Sequence, residues 1–206
     1  MSSCLRGCAK LLLKTLTKIL VDFMSQQTYL KVPFVWEEPK PSIEVPSRLE
    51  FKAATTLSHE VLLSVVARVM ESSIDASDRK QVVERGSRQV AEQFLAESKD
   101  GFSYQDEWWQ IGISSDDRVV GFVFPAIYEG CAKDGLEEAT IYYIGVLPEY
   151  RGQGFATDLL LKGTRVLQDV GVWRVFCDTD MNNIPMISTF ERVGYQQYSE
   201  PWQRPL

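Results

Sequence analysis

One stretch limits the fold more than any other: Val146 to Leu161, "VLPEYRGQGFATDLLL". An apolar run meets Pro148, which cannot donate to a strand ladder, and a loop with two glycines follows. Phe155, Leu159, Leu160, Val166, Leu167 and Val170 then fall on one helical face, and Gly171 suits the position just past the helix end. The unit reads as strand, loop and helix, with the loop at the helix mouth. Several backbone N–H groups there lack helical partners, and the macrodipole is positive. Gly152 and Gly154 carry no Cβ, Ala156 has only a methyl group, and Arg151 adds a charge. Such a mouth holds phosphate or pyrophosphate, or is a glycine turn that binds nothing.

Two generic phosphate motifs fit poorly. A P-loop needs Lys-Ser/Thr after its second glycine, where this chain has Phe155-Ala156. A dinucleotide fingerprint needs a third glycine, which would fall at Thr157, and an early β-α unit, whereas this one lies late in the chain.

Upstream, "RLEFKAA" from Arg48 alternates as a strand does, and Ser58 is placed to cap a helix over "HEVLLSVVARVMESS". His59 then sits in that helix's first turn, as a surface residue. A second helix is expected over "VVERGSRQVAEQFLAES". "WWQIGIS" and "RVVGFVFPAIYE" read as strands joined by the tight turn "SSDD". The strand "ATIYYIGV", the helix from Gly152 to about Val170, the strand "VWRVFCD", a helix over about Asn183–Val193 and a strand from Tyr195 complete the order. Such an order implies an α/β chain of mixed α+β character, with a mixed sheet and helices on both faces.

Residues 4–24 read as an amphipathic helix. A helix packed on the domain or a leader, a membrane-surface anchor, a targeting presequence, and a true start at Met24 all stay open. Pro33, Pro39, Pro41 and Pro46 argue for an extended linker over residues 32–47, with Phe34 and Trp36 laid on the surface. The expected organisation is therefore an extension, residues 1–47, and one main domain, residues 48–206.

A chain of 206 residues, 45% hydrophobic, suffices for one core plus such an extension. A net charge of -6 speaks against a nucleic-acid partner and favours a cationic small substrate. Cys4, Cys8, Cys131 and Cys177 form no CxxC pair and have no partner histidines at metal spacing, so no metal is expected. Free thiols in a reducing compartment imply a cytoplasmic protein. "LLLKTLTKILVDFM" is too short and too charged to span a bilayer or to serve as a secretory signal.

"IGVLPEYRGQGFATDLL" resembles the acetyl-CoA signature of the GCN5-related N-acetyltransferase (GNAT) superfamily, whose loop Gln/Arg-x-x-Gly-x-Gly/Ala is here Arg151-x-x-Gly154-x-Ala156. "NNIPMISTFERVGY" is similar to the second half-signature of that family. The resemblance covers about residues 48–200 and is strongest over 139–196. It implies a mostly antiparallel sheet whose central strands splay apart, with the pantetheine arm of the coenzyme in the gap.

By that resemblance, the backbone of Gly145, Val146 and Pro148 lines the arm. The loop amides of Arg151, Gly152, Gln153, Gly154, Phe155 and Ala156 hold the pyrophosphate, and Asn183 contacts the coenzyme. The implied activity is direct transfer of acetyl from acetyl-CoA to a primary amine of a small molecule or peptide. The alternative is a catalytically silent acyl-CoA-binding sensor or interaction module. The tyrosine acid that many members carry aligns with Phe190, which has no proton to give, so either Tyr142, Tyr143 or Tyr195 substitutes or the thiolate leaves without help. Among carboxylates Glu138 is the first choice of base, then Glu137 and Glu129. Glu138, Thr140, Tyr142 and Ile144 share a strand face by its period of two. Asp178 and Asp180 would attract a cationic amine, Trp108-Trp109 reads as core packing, and Cys177 reads as a buried hydrophobe rather than a nucleophile. Monomer and homodimer both stay open.

Overall fold

The computed structural model describes residues 28–38, 40–46, 48–97 and 99–206. The amphipathic segment expected over 4–24, with Cys4 and Cys8, lies outside these residues.

The cleanest alternation gives the central hairpin. Strands β4 (Gln110–Ile113) and β5 (Val119–Tyr128) pair antiparallel around a turn in which Asp117 takes φ +57°. Phe122 and Phe124 face one layer and Val123 the other, as the pleat requires. With β1 (Thr28–Glu37), β2 (Glu50–Ala53), β3 (Phe102–Ser103), β6 (Glu137–Val146), β7 (Val172–Asp180), β8 (Gln196–Gln197) and β9 (Trp202–Pro205), they form one sheet among the described residues. Its order is β2-β4-β5-β6-β7-β1-β8, with β3 beside β5 and β9 beside β1. Every pairing is antiparallel except β6 with β7.

Helices α1 (His59–Glu71), α2 (Ala76–Arg85) and α3 (Ser87–Ala96) lie on one side, α4 (Phe155–Val170) and α5 (Ile184–Val193) on the other. Leu63, Val66 and Met70 of α1 pack on Ile111, Phe122 and Phe124, with Trp109 stacked on Phe124 at 4.2 Å. Leu159, Leu160 and Leu167 of α4 are fully buried against Val123, Ile141 and Val175. Burial of each leucine stabilises the fold by about 2 kcal/mol.

Two expectations are corrected. The single helix expected over 82–98 is two, because the chain turns at Gly86 with φ +85°. The linker expected from residue 32 is strand β1 as far as Glu37, and Phe34 and Trp36 are core residues, 1% and 2% exposed. Pro33 is tolerated because it falls between the β8 and β9 partners of β1, where its missing N–H breaks no ladder bond on that side. Irregular chain follows only over residues 40–46.

Candidate functional site

The loop predicted from sequence sits where expected. After β6, Pro148–Tyr150 makes a single 3-10 turn, Gly152 and Gly154 take φ of +74° and +83°, and α4 begins at Phe155. A side chain at either φ would be strained, which explains both glycines. The amides of Gly152, Gln153, Gly154, Phe155 and Ala156 find no acceptor among the described residues. Arg48 holds the loop from behind, through the Gln153 carbonyl at 3.1 Å and an ion pair with buried Asp158 at 2.7 Å.

A cavity of about 750 Å³ opens from this mouth. Gly145, Val146, Arg151, Gly152, Gly154, Phe155, Ala156 and Asn183 line it; Pro148 and Gln153 do not. Arg151 is already engaged. Its guanidinium donates to the Val146 carbonyl at 3.0 Å and to the Ser72 carbonyl and hydroxyl, both at 2.8 Å, tying β6 to the end of α1. The Val146 carbonyl is thus partly occupied as well. Arg192, whose guanidinium donates to Thr157 Oγ1 at 3.2 Å, adds a cation at the mouth that sequence reading missed. Asn183 caps α5 by accepting from the Met186 amide. Free amides, a helix N-terminus and this cation fit a pyrophosphate group.

From the mouth the cavity follows a gap between β6 and β7. These strands pair only over Glu137–Ala139 and then diverge. At the fork the Ile141 amide donates to Cys177 Sγ at 3.3 Å in place of a lost ladder bond. The Cys177 thiol is pushed up to about 12 by burial, which suits packing rather than nucleophilic attack. Opposite Pro125, which has no N–H, β6 carries one extra residue: Phe124 pairs Tyr143, Pro125 pairs Ile141, and Tyr142 is bulged between them. Gly145, which lines the cavity, also has a packing role. A Cβ there would overlap Val69 Cγ1, so the glycine lets α1 lie directly on β6.

The far end is built from side chains distant in sequence. Lys31 of β1 pairs with Asp75 at 2.7 Å and Asp178 of β7 at 3.4 Å. Burial alone would lower the Lys31 ammonium; the two carboxylates more than reverse this and hold it at about 12. Asp78 accepts from Ser73 Oγ at 2.7 Å and Tyr143 Oη at 2.9 Å. Burial raises its carboxyl above the usual range, and the Asp75 charge adds to this against the two hydroxyls and Lys31. Burial, with Asp78 beside it, holds the Tyr143 hydroxyl far above its usual range. Tyr142 lines the cavity, its ring against Phe94 and Phe102.

Other expected residues lie elsewhere. Glu138 does not line the cavity; Arg174 pairs with it at 2.6 Å, where β6 and β7 are still joined. The catalytic role expected for Glu138 finds no support in that geometry, and Glu137 and Glu129 do not line the cavity either. Asp178 lines it, but Asp180 is fully buried and accepts from the Ala76 and Asn182 amides. Phe190 is stacked on Phe34 at 4.9 Å and lines the cavity without a proton to give, whereas Tyr195, buried against Thr164 Oγ1 at 2.7 Å, does not line it. His59 is exposed, and no cluster of His, Cys, Asp and Glu among the described residues has the makings of a metal site. Asp75, Asp78, Lys31 and Tyr29 were among the residues missed at this end. The one signal available was Asp75 at a helix start with Asp78 in the first turn, which reads as a cap and an acid at the helix N-terminus.

The Acetyltransferase (GNAT) family model matches residues 76–195. A mycothiol acetyltransferase of Pseudarthrobacter chlorophenolicus is 29% identical over 101 residues, 46% of this chain and 30% of that protein. N-alpha-acetyltransferase 30 of Schizosaccharomyces pombe is 29% identical over 85 residues, 40% of this chain and 54% of that protein. A GCN5-related N-acetyltransferase structure from Sphaerobacter thermophilus superposes with a TM-score of 0.52 at 15% identity, over 93% of this chain and 56% of that one. The match thus spans less than two thirds of each of these proteins, and the structural likeness bears on the fold.

Proposed function

This chain belongs to the GNAT family of acetyltransferases, and from that premise we propose that it transfers acetyl from acetyl-CoA directly to a primary amine. The observation that carries the reading is one continuous cavity, with free amides at a helix mouth, an opened strand edge along its length, and carboxylates and hydroxyls at its far end. In the proposed assignment, the amides from Gly152 to Ala156 and Arg192 hold the pyrophosphate, the β6 edge near Gly145 and Val146 lies along the pantetheine arm, and Asn183 faces the coenzyme. Arg151 acts mainly by fixing the loop. Tyr142, on the bulge, is positioned to meet the reacting groups. The relatives are named for mycothiol and for N-alpha acetylation; only their shared chemistry, acetyl transfer, is proposed here.

The acceptor must shed a proton before it attacks, and the sulphur must gain one as it leaves. The unit that performs this is taken to begin at β1, because Lys31 lies in the cavity wall. A reducing, cytoplasmic setting fits the buried Cys177 and exposed Cys131; no helix among the described residues is long and apolar enough to cross a membrane. Calorimetric titration with acetyl-CoA tests the reading. Micromolar binding is expected, and absence of heat at millimolar ligand overturns it.

A second reading, a silent acyl-CoA sensor, is favoured by Phe190 in place of a proton donor. Thiol release with any primary amine defeats it.

A further inference from the structure

Resting on the acetyltransferase reading, we propose that Asp78 is the base that takes the proton from the acceptor ammonium, and that Tyr143 positions it. Asp78 lies in the first turn of α2 and lines the far end of the cavity. Both its hydrogen bonds fall on one oxygen: Ser73 Oγ and Tyr143 Oη each donate to Oδ2. Oδ1 accepts nothing among the described residues and is left for a substrate. The neighbouring carboxylates are committed elsewhere. Asp75 caps α2 and pairs with Lys31, Asp178 shares Lys31, and Asp180 accepts two backbone amides. Asp78 alone among these four has only neutral hydroxyls as hydrogen-bond partners. A carboxylate so placed holds a proton more readily than one facing a cation. The groups that set its charge are Tyr143 of β6, Lys31 of β1 and Asp75 of its own helix cap. Asp178 of β7 acts through Lys31.

In the step proposed, Asp78 Oδ1 removes one proton from the ammonium, and the freed lone pair forms the C–N bond at the acetyl carbon. The C–S bond breaks with its electron pair on sulphur. The second proton, lost by nitrogen as the amide forms, neutralises the thiolate, and Asp78 returns its proton to water.

The test uses the full chain, acetyl-CoA, and n-butylamine, spermidine and a peptide with a free N-terminus as acceptors, followed by thiol release. Asp78→Asn keeps an oxygen for both hydroxyls and removes a desolvated carboxyl, so the melting temperature should not fall. Turnover is expected to drop about 100-fold or more near neutral pH. The deficit should shrink as pH approaches the amine's own pKa, and acetyl-CoA affinity should stay within about twofold. Tyr143→Phe removes a donor that favours the ionised carboxyl, so the acid limb of kcat/KM should move to higher pH. A role in packing alone would leave that limb in place. Turnover by Asp78→Asn equal to that of the unaltered protein, with coenzyme binding intact, overturns the assignment and spares the acetyltransferase reading. Coenzyme binding without turnover of any of the three amines by the unaltered protein overturns both.

Discussion

The two ends of the cavity are built on different principles. The mouth is made of backbone: two glycines, a helix start and consecutive free amides, all within residues 151–157. The far end is made of side chains that meet only in the fold: Lys31 from the first strand, Asp75 and Asp78 from the start of α2, Tyr143 from β6 and Asp178 from β7. A backbone cradle accepts any ligand with a pyrophosphate, whereas a side-chain wall is free to vary with the acceptor. In the proposed reading, recognition of a shared co-substrate is therefore local in sequence, and proton handling at the acceptor is not.

The largest effect is expected at the mouth. A Cβ on Gly152 would meet no atom within 4 Å, so Gly152→Glu introduces a carboxylate with open space at its Cβ. Strain at φ +74° costs about 1–2 kcal/mol of stability. Repulsion of the pyrophosphate should weaken acetyl-CoA binding by about 100-fold or more. Gly152→Ala, with the strain and no charge, separates the two effects in the same calorimetric titration. Equal affinity for all three proteins would move the phosphate elsewhere.

At the far end the expected effect falls on stability. Lys31→Met leaves Asp75 and Asp178 without their shared cation, at about 3 kcal/mol in urea unfolding. Its ammonium, raised from 10.5 to about 12, contributes stability that is fully present below pH 10.5 and lost as pH rises toward 12. The unaltered protein should lose stability through that window and the variant should not gain or lose on this account. Acetyl-CoA affinity should hardly change in Lys31→Met; a large loss would mean that the two ends are coupled.

The same contrast explains what was legible in the sequence. "RGQGFA" announced its helix mouth because every part of the device lies within one turn. The hairpin at "SSDD" was legible for the same reason. Strand β1 was not, since four prolines in residues 32–47 suggest a linker and only the gap between β8 and β9 makes Pro33 tolerable. The period-two argument that placed Glu138 with Tyr142 failed at the bulge opposite Pro125, beyond which alternation is reset. Asp78 could be read as a first-turn acid behind the Asp75 cap but not as a base, because its distinction comes from Tyr143, 65 residues away.

A smaller effect separates charge from geometry at Arg151. Arg151→Lys keeps the cation and loses the fork to Ser72 and Val146. If the guanidinium works by fixing the loop, stability falls by about 1 kcal/mol and coenzyme affinity by about fivefold. If charge on the pyrophosphate is what matters, lysine preserves affinity.

The smallest effect on turnover is expected at Glu138. Its partner Arg174 also lies over the rings of Trp173, Phe176 and Tyr198, at 4.4, 5.6 and 5.7 Å, so it stays housed when the carboxylate is neutralised. Glu138→Gln should therefore lower stability by about 1 kcal/mol. Thiol release should stay within about twofold at every pH, because the chemistry needs a carboxylate that faces the acceptor. The ion pair instead sits where β6 and β7 are still hydrogen-bonded, before the gap opens. A fall of about tenfold or more, steepest at low pH, would return the base to β6 and make Asp78 part of the scaffold.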